Sequence, residues 1–216
     1  MEDERIFIYG AGGHAKVVAE AICSCGLKPC AFIDDAVQVN QQNKLIGIPI
    51  FSPQDSRTWL KNGHVVVAIG DNYHRYMISQ KMAMNIGIFI NVVHKNAVLS
   101  PSAHIGAGSM IMANTVINAQ AFIGDHVILN TGSIIEHDCI IGDFTHIAPG
   151  VKLGGEVKIG QGVLIGIGAT ISPRVSIGDW SVIGAGSVVL HDIPKNSVAV
   201  GVPARVIKEN MTKDVV

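Results

Sequence analysis

Two histidines in the middle of the chain lie in a segment that is otherwise mostly apolar. The segment NTGSIIEHDCIIGDFTHIAPG, residues 130–150, contains His137 between Glu136 and Asp138, and His146 nine residues further on. An imidazole titrates near neutral pH, and an adjacent carboxylate can hold its tautomer and stabilise its protonated form. His137 therefore has the surroundings of a general base, and either neighbouring carboxylate could serve as its partner.

The composition of the chain indicates a globular protein. Of 216 residues, 48% are hydrophobic and 15% are charged, and the formal net charge is −1. A nucleic-acid-binding protein would need a basic face, and a membrane span needs about 20 consecutive apolar residues, which this sequence lacks. The start, MEDERIFIYG, has no signal-peptide pattern, and the four cysteines have neither disulfide nor paired metal-ligand spacing. We expect a cytoplasmic protein with reduced thiols, no nucleic-acid partner and no membrane insertion.

A strict six-residue period begins near residue 98. Aliphatic residues occupy Leu99, Ile105, Ile111, Ile117, Ile123, Leu129, Ile135, Ile141, Ile147, Leu153, Ile159, Ile165, Ile171, Ile177, Ile183 and Val189. A small or β-branched residue follows four positions after each of them. Helices and ordinary sheets have no such period, whereas hexapeptide repeats are typical of a parallel β-helix. We expect about five triangular coils, three short strands each, with the aliphatic residues stacked in the core.

The first 95 residues follow a different pattern, in which strands and helices alternate. RIFIYG, PCAFIDD and HVVVAIG predict buried strands, and GHAKVVAEAICSCG and DNYHRYMISQKMAMNIG predict helices. This order is typical of a parallel α/β sheet that binds ligands at the carboxyl ends of its strands. The predicted organisation is a Rossmann-like half domain at residues 1–95, a β-helix at 96–205 and a tail at 206–216.

A glycine-rich loop, GAGGHA, joins the first predicted strand to the first helix. With Asp34 and Asp35 ending the next strand, it fits the dinucleotide-binding pattern. However, the region holds only about one of the two mononucleotide-binding halves that a full dinucleotide fold needs. The glycines and the helix N-terminus still form a phosphate cradle, so a nucleotide-sugar fits better than a nicotinamide cofactor. A tight turn with no ligand is the structural alternative, and Gly70, at the end of the third strand, is expected to line the same crevice.

The period also predicts what lies beside the two histidines. With three hexads per coil, residues eighteen apart stack at strand spacing. His137 then lies between Ala119 and Gly155, in an open notch where the Gly155 N–H is unobstructed. His146, half a coil away, falls on a different side of the prism, so only two prisms packed together could bring both histidines into one site.

The hexad array, GVPARVIKE, EHDCIIGDFTHIAPG and IYGAGGHA…FIDD together resemble one family over almost the whole chain. It is the family of left-handed β-helix acyltransferases that acetylate sugars, in the branch with an N-terminal nucleotide-sugar-binding domain. That branch includes N-acetyltransferases of UDP-linked 4-amino-sugars and enzymes described as sialic-acid O-acetyltransferases. The resemblance implies a left-handed β-helix, a homotrimer with sites between subunits, and acetyl-CoA as cosubstrate.

Residue roles follow from the same resemblance. It implies that His137 is the catalytic base, with Asp138 as its partner where many relatives have glutamate; Glu136 is the alternative. Independently of the resemblance, the stacking of Gly155 beside His137 leads us to expect that the Gly155 N–H stabilises the oxyanion. The resemblance further implies acetyl-CoA contacts for His146, Ile167 and Ala185, diphosphate or sugar contacts for Gly12, Gly13 and His14, and nucleoside contacts for Asp34 and Asp35.

Two other chemistries fit this sequence less well. Some hexapeptide-repeat proteins are zinc carbonic anhydrases with an H-x-x-x-x-H pair, but no two histidines here have that spacing. Cys139 falls on an inward-facing position, which argues against both a metal ligand and a covalent acyl-enzyme. The predicted function is therefore metal-free N-acetylation of a nucleotide-linked amino-sugar for bacterial glycan synthesis, with O-acetylation of sialic acid or another sugar hydroxyl as the alternative.

Overall fold

The computed structural model describes residues 5–37, 43–61, 63–83 and 88–209. The end of the predicted tail, residues 210–216, and the end of the second predicted helix, residues 84–87, lie outside the described residues. The N-terminal elements are β1 (Ile6–Tyr9), α1 (Gly13–Ser24), β2 (Pro29–Ile33), β3 (Asn43–Leu45), β4 (Ile48–Phe51), α2 (Pro53–Leu60), β5 (His64–Val67), α3 (Asn72–Ala83) and β6 (Ile88–Phe89).

These elements form a six-stranded sheet in the order β3-β4-β2-β1-β5-β6. All neighbouring strands are parallel except the hairpin of β3 and β4. Apolar residues of α1 pack on one face of the sheet, and apolar residues of α2 and α3 pack on the other. The carboxyl ends of β1, β2 and β5 therefore meet at one edge, beside the N-terminus of α1. The sequence pattern predicts β1, β2, β5, α1 and α3, but not β3, β4 or α2.

The rest of the described chain is a three-sided parallel β-helix closed by a hairpin. Its two-residue strands are β7 (Val92–Val93), β8 (Val98–Leu99), β9 (His104–Ile105), β10 (Met110–Ile111), β11 (Val116–Ile117), β12 (Phe122–Ile123), β13 (Ile128–Leu129), β14 (Ile134–Ile135), β15 (Ile140–Ile141), β16 (His146–Ile147), β17 (Lys152–Leu153), β18 (Lys158–Ile159), β19 (Leu164–Ile165), β20 (Thr170–Ile171), β21 (Ser176–Ile177), β22 (Val182–Ile183) and β23 (Val188–Val189). The hairpin is β24 (Ser197–Gly201) and β25 (Ala204–Glu209). β7 begins the β-helix a few residues before the boundary predicted at residue 95.

Three sheets form the sides of the prism. They are β25-β24-β22-β19-β16-β13-β10-β7, β23-β20-β17-β14-β11-β8 and β21-β18-β15-β12-β9, called here the eight-, six- and five-stranded sheets. Parallel strands on one side pair at a spacing of eighteen residues, for example Ile117 with Ile135, except that β22 pairs with β24 at a spacing of sixteen. The second residue of each strand points inward, and one continuous apolar cluster fills the prism. The predicted aliphatic series supplies this core.

The N-terminal domain rests on one face and one corner of the prism. Val92, Met110 and Ile128, outward-facing on the eight-stranded sheet, are buried against apolar residues of α1 and the Rossmann-like sheet. α3 lies along the corner between the five- and eight-stranded sheets, where Asn72 and Arg75 bond to the turns. In the part of the chain described here, no helix is long and apolar enough to span a bilayer.

Candidate active site

His137 lies in the turn between β14 and β15, at the corner where the six- and five-stranded sheets meet. Asp138 has a left-handed backbone (φ 60°), which turns its carboxylate back toward the preceding imidazole. The Nδ1–Oδ2 distance is 2.7 Å, and both side chains are more than half exposed. Asp138 is thus the carboxylate bonded to the imidazole. This hydrogen bond, aided by the charges of Asp138, Glu136 and Glu156, raises the pKa of His137 above its ordinary value.

Gly155 lies directly against the imidazole of His137. A Cβ on Gly155 would come within 2.7 Å of both Cε1 and Nε2 of that ring, so no larger residue fits without displacing it. The Gly155 carbonyl accepts the Arg174 N–H at 3.0 Å, whereas its own N–H has no acceptor among the described residues. Gly155 therefore abuts the Cε1–Nε2 edge of the imidazole and has a backbone N–H without an acceptor among the described residues, which is the kind of donor that can stabilise an oxyanion.

Cys139 points into the prism, as predicted. It is fully buried, and its Sγ donates to the carbonyl of Gly154 at 3.2 Å. Burial raises the pKa of this thiol to about 11, so the nucleophilic thiolate is scarce at neutral pH. Cys139, which follows His137 and Asp138 in sequence, is therefore poorly suited to covalent acyl transfer.

A second site lies at the carboxyl edge of the Rossmann-like sheet. This cleft of about 400 Å³ is lined by Tyr9, Gly10, Ala11, Gly12, Gly13, His14, Asp34, Asp35, Ala68, Ile69 and Gly70. It brings together all six residues assigned to the nucleotide-sugar from the sequence. A Cβ added at Gly12, Gly13 or Gly70 would meet no atom within 4 Å, so these glycines face open space. With the N-terminus of α1 at its wall, the cleft has the form of a phosphate site.

The two aspartates of the cleft are held differently. Asp34 accepts the N–H of Ala11 at 2.8 Å and that of Ala36 at 2.9 Å, so both of its oxygens support backbone. Asp35 accepts the Tyr9 hydroxyl at 2.6 Å and lies 3.7 Å from the Lys81 ammonium, and it is half exposed. Burial and the bond to Asp35 raise the pKa of Tyr9. Asp34 therefore shapes the glycine loop, whereas Asp35 keeps acceptor capacity for a ligand.

His146 lies where the cleft meets the prism. Its Nδ1 is 3.3 Å from the carbonyl of Gly70, and its Nε2 is 3.1 Å from Nδ2 of Asn130. Oδ1 of Asn130 accepts the Thr131 N–H, so Nδ2 is the donor and His146 carries its proton on Nδ1. Its ring centroid is 6.2 Å from that of His14.

Both of these histidines are kept neutral. Burial, reinforced by the nearby Arg75 charge, lowers the pKa of His14 to about 4 and that of His146 to about 3. Nε2 of His14 is buried with no hydrogen-bond partner among the described residues, and His14 lines the cleft. An unpartnered buried nitrogen at the wall of a cleft is a group that a ligand can satisfy.

One chain does not bring all predicted residues together. His137 and Gly155 lie on the corner opposite the eight-stranded sheet, and the cleft lies on the side of that sheet. Ile167 and Ala185 stack on a third position, the corner between the eight- and six-stranded sheets, where the Gly186 N–H bonds to the Ile167 carbonyl at 2.8 Å. One chain therefore places the candidate site residues at three separate positions.

The sequence pattern does not predict two residues near the cleft, Tyr9, which lines it, and Arg75, which lies behind it. The hydrophobic pattern of the sequence identifies Tyr9 only as a strand residue and does not show that its hydroxyl donates to Asp35. Arg75 reads as a surface residue of α3, yet it is fully buried. An arginine four residues after Asp71 in a short polar helix carries no signal of burial. Within the described residues, no three His, Cys, Asp or Glu side chains are grouped so as to hold a metal ion.

Comparisons with known proteins agree with both parts of the fold. Residues 5–82 match the family described as the PglD N-terminal domain, and residues 120–155 and 156–191 match the bacterial transferase hexapeptide family. The chain is 36% identical over 113 residues to the UDP-N-acetylbacillosamine N-acetyltransferase of Bacillus subtilis. That alignment covers 51% of this chain and spans about half, 52%, of the curated relative.

Two solved structures resemble the whole chain. One is a histidine variant of perosamine N-acetyltransferase from Caulobacter crescentus in complex with CoA and GDP-perosamine, with 36% identity, a TM-score of 0.87, and coverage of 95% of this chain and 97% of that one. The other is the acetyltransferase domain of PglB from Neisseria gonorrhoeae in complex with acetyl coenzyme A, with 33% identity, a TM-score of 0.87, and coverage of 95% and 100%. The predicted fold, a Rossmann-like domain followed by a left-handed β-helix, is confirmed. The chain belongs to the family of hexapeptide-repeat sugar N-acetyltransferases with a PglD-type N-terminal domain.

Proposed function

We propose that the protein transfers the acetyl group of acetyl-CoA to the amine of a nucleotide-linked amino-sugar. The observation that carries the proposal is the His137–Asp138 pair, hydrogen-bonded at 2.7 Å, beside the free N–H of Gly155. The cleft supports it as a separate nucleotide-binding site. The Caulobacter relative, which was solved with CoA and GDP-perosamine, supports the substrate class.

In the proposed mechanism, the free amine attacks the thioester carbonyl directly. Asp138 holds the proton of His137 on Nδ1, which leaves the lone pair of Nε2 to accept the proton that the amine loses. The carbonyl oxygen becomes an oxyanion and accepts the Gly155 N–H. When the tetrahedral intermediate collapses, the C–S bond breaks, the amide remains on the sugar, and the CoA thiolate takes a proton from His137.

We further propose that the protein is a homotrimer whose active sites lie between subunits. The support is geometric, since His137 and the cleft lie on opposite sides of the same prism. The cleft of one subunit would present the amino-sugar to His137 of a neighbour. Acetyl-CoA would run along the groove between prisms, past Ile167 and Ala185 on one corner and His146 on the adjacent sheet.

An activity panel identifies the sugar and the nucleotide base of the substrate. Purified protein with acetyl-CoA is offered amino-sugars linked to UDP, GDP or dTDP, the corresponding hydroxyl sugars, and free sialic acid, and CoA release is measured. Turnover confined to the nucleotide-linked amines supports the proposal. Turnover of hydroxyl sugars or sialic acid instead would replace it with O-acetylation, and saturable NADH binding in the cleft without acetyl transfer would replace it with a nicotinamide-binding module. We place the reaction in the bacterial cytoplasm, where acetyl-CoA and nucleotide-sugars are available for glycan synthesis.

A further inference from the structure

Arg75 is a fully buried arginine without an ion-pair partner among the described residues. Its guanidinium has five N–H donors. Nε donates to the His126 carbonyl at 2.9 Å, and Nη2 donates to the Phe144 carbonyl at 2.6 Å and to Oδ1 of Asn72 at 2.8 Å. Nη1 donates to the carbonyls of Ile69 at 2.7 Å and Gly70 at 3.3 Å. The guanidinium thus makes five bonds, four of them to backbone carbonyls.

These carbonyls belong to two different parts of the molecule. Ile69 and Gly70 form a wall of the nucleotide-sugar cleft. His126 and Phe144 are turn residues of the β-helix, one above the other on the corner where α3 packs. A single side chain of α3 therefore ties the wall of the cleft to the prism.

Asn72 extends this link by one coil. Its Nδ2 donates to the carbonyls of Gly162 and Val163 at 3.0 Å each, while its Oδ1 accepts from Arg75. His126, Phe144 and Gly162 are eighteen residues apart and stack along one corner. We call Arg75 and Asn72 together the carbonyl clamp.

Docking of the domain alone does not require a buried charge. Tyr73 and Tyr76 of α3 already contact Trp180, Tyr76 also contacts Phe144, and Phe89 packs edge-on to His126. A buried cation without a carboxylate partner is costly, and well-packed apolar residues often stabilise an interface better. What the planar guanidinium adds is a fixed direction for each bond, and hence a fixed position for the groups it holds.

We infer that Arg75 is a positioning residue for acetyl transfer, one that fixes the wall of the cleft against the β-helix so that a bound sugar presents its amine at a set distance from His137 of the neighbouring subunit. The inference rests on the proposed function. Arg75 itself lies behind the cleft and does not line it. Its charge also contributes to keeping His14 and His146 neutral at the junction that it holds together.

The test uses Arg75→Lys in the full-length protein, because an ammonium cannot span both sides of the clamp. We expect kcat to fall about 10- to 100-fold, as for a displacement of about 1 Å of a reacting group. KM for acetyl-CoA should stay within about twofold, because Ile167 and Ala185 of its proposed groove lie on another corner and only His146 of that groove lies near the clamp. Binding of UDP and GDP, measured by calorimetry with each nucleotide alone, should change much less than kcat, because Gly12, Gly13 and Asp35 are untouched.

A second readout does not depend on activity. The chain has two tryptophans, and Trp180 packs against Tyr73 and Tyr76 of α3, whereas Trp59 lies in α2. In a Trp59→Phe background, emission therefore reports on the docking of α3 against the prism. We expect Arg75→Lys to change the Trp180 emission and to speed hydrogen exchange in peptides covering residues 68–71 and 142–146. These readouts test the carbonyl clamp separately from the proposed function. An inactive wild-type protein would refute the proposed function, but the changes in Trp180 emission and in hydrogen exchange would still test the clamp.

The matched control is Val189→Ala, a cavity variant in the prism core remote from α3. Arg75→Lys overturns the inference if it keeps kcat and Trp180 emission close to wild type, or if its kcat loss is no larger than that of the control at equal loss of Tm. Should Arg75→Lys fail to fold, Asn72→Ala decides, since it removes the bonds to Gly162 and Val163 and leaves Arg75 in place. It should show a smaller kcat loss with the same unchanged KM for acetyl-CoA, and wild-type kcat in that variant would overturn the inference.

Discussion

Nδ1 of His137 lies 2.7 Å from Oδ2 of Asp138, while Nε2 of the same ring faces Gly155. The carboxylate therefore fixes both the tautomer and the orientation of the imidazole. Its remaining lone pair and the Gly155 N–H, which has no acceptor among the described residues, lie close together, as the proposed mechanism requires of its proton acceptor and its oxyanion donor.

Replacement of His137 by alanine should abolish most turnover without unfolding the protein. We expect kcat to fall about 10²- to 10⁴-fold, the usual contribution of a positioned general base. Tm should change little, because the side chain is more than half exposed and lies outside the core. The control is His191→Ala, an exposed histidine on the same corner of the prism. Near-normal turnover in His137→Ala would remove this residue from the mechanism.

Asp138→Asn should change both the rate and its pH dependence. The base must be neutral, so kcat/KM rises as pH rises through the pKa of His137. The bond to Asp138 is the largest cause that raises this pKa. Its loss should move the acid limb of the profile to lower pH, while the plateau falls about 10-fold because the imidazole is less well oriented.

Glu136→Gln is the matched test of the other carboxylate. Glu136 acts on His137 through its charge, so this variant should shift the acid limb less and leave the plateau unchanged. A larger effect of Glu136→Gln than of Asp138→Asn would reverse the assignment of the partner.

Gly155→Ala should lower kcat by displacing the imidazole of His137. The added methyl would lie 2.7 Å from Cε1 and Nε2 of His137, so the imidazole must move away from the oxyanion donor. We expect a loss of kcat of at least about 10-fold. In the His137→Ala background the same change should cost almost nothing, because the displaced ring is gone; additive losses in this double-mutant cycle would contradict the predicted coupling.

Replacing Asp35 and replacing Asp34 should have different effects on KM and Tm. Asp35→Asn is expected to raise KM for the nucleotide-sugar several-fold with little change in Tm, because the carboxylate is half exposed. Asp34→Ala is expected to lower Tm as well, because it leaves the N–H groups of Ala11 and Ala36 without their acceptor. Steady-state kinetics and thermal unfolding measure the two effects. A loss confined to acetyl-CoA affinity in either variant would assign the cleft to the other substrate.

Sites shared between subunits should allow complementation. His137→Ala removes the proposed base, and Gly12→Trp would fill the cleft, because a Cβ on Gly12 faces open space in it. Each variant disables a different half of the shared site, so co-refolded mixtures should regain activity that neither variant has alone. When the two variants assemble at random into rings, each site takes one half from each of two adjacent subunits. Both halves are then intact in about one quarter of the sites. Activity is compared with separately refolded variants mixed afterwards, and light scattering gives the oligomeric state. No gain over that mixture, or a fully active monomer, would contradict the shared site.

The sequence predicts much of the fold because its β-helix is encoded by strictly local repetition. From Leu99 to Val189 an aliphatic residue recurs at every sixth position, and each of these residues occupies the inward-facing position of a strand. Because each coil has the same length, the spacing in the sequence gives the stacking directly. The same regularity predicts that Cys139 is buried and that Gly155 stacks on His137. The elements β3, β4 and α2 follow no such period, and the pattern does not predict them.

The sequence by itself therefore determined the coil, the corner that carries His137, and the glycine and aspartate residues that form the cleft. Only the tertiary structure decided how these parts meet. Asp34 and Asp35 are adjacent and identical in type, yet one supports the backbone of the loop and the other binds Tyr9, because the hydrogen bonds available to each depend on strands distant in sequence. Arg75 and His146 are likewise ordinary residues in their local context. Their burial and pKa values arise where α3 and the cleft pack on the prism, and no local pattern records which faces will be covered.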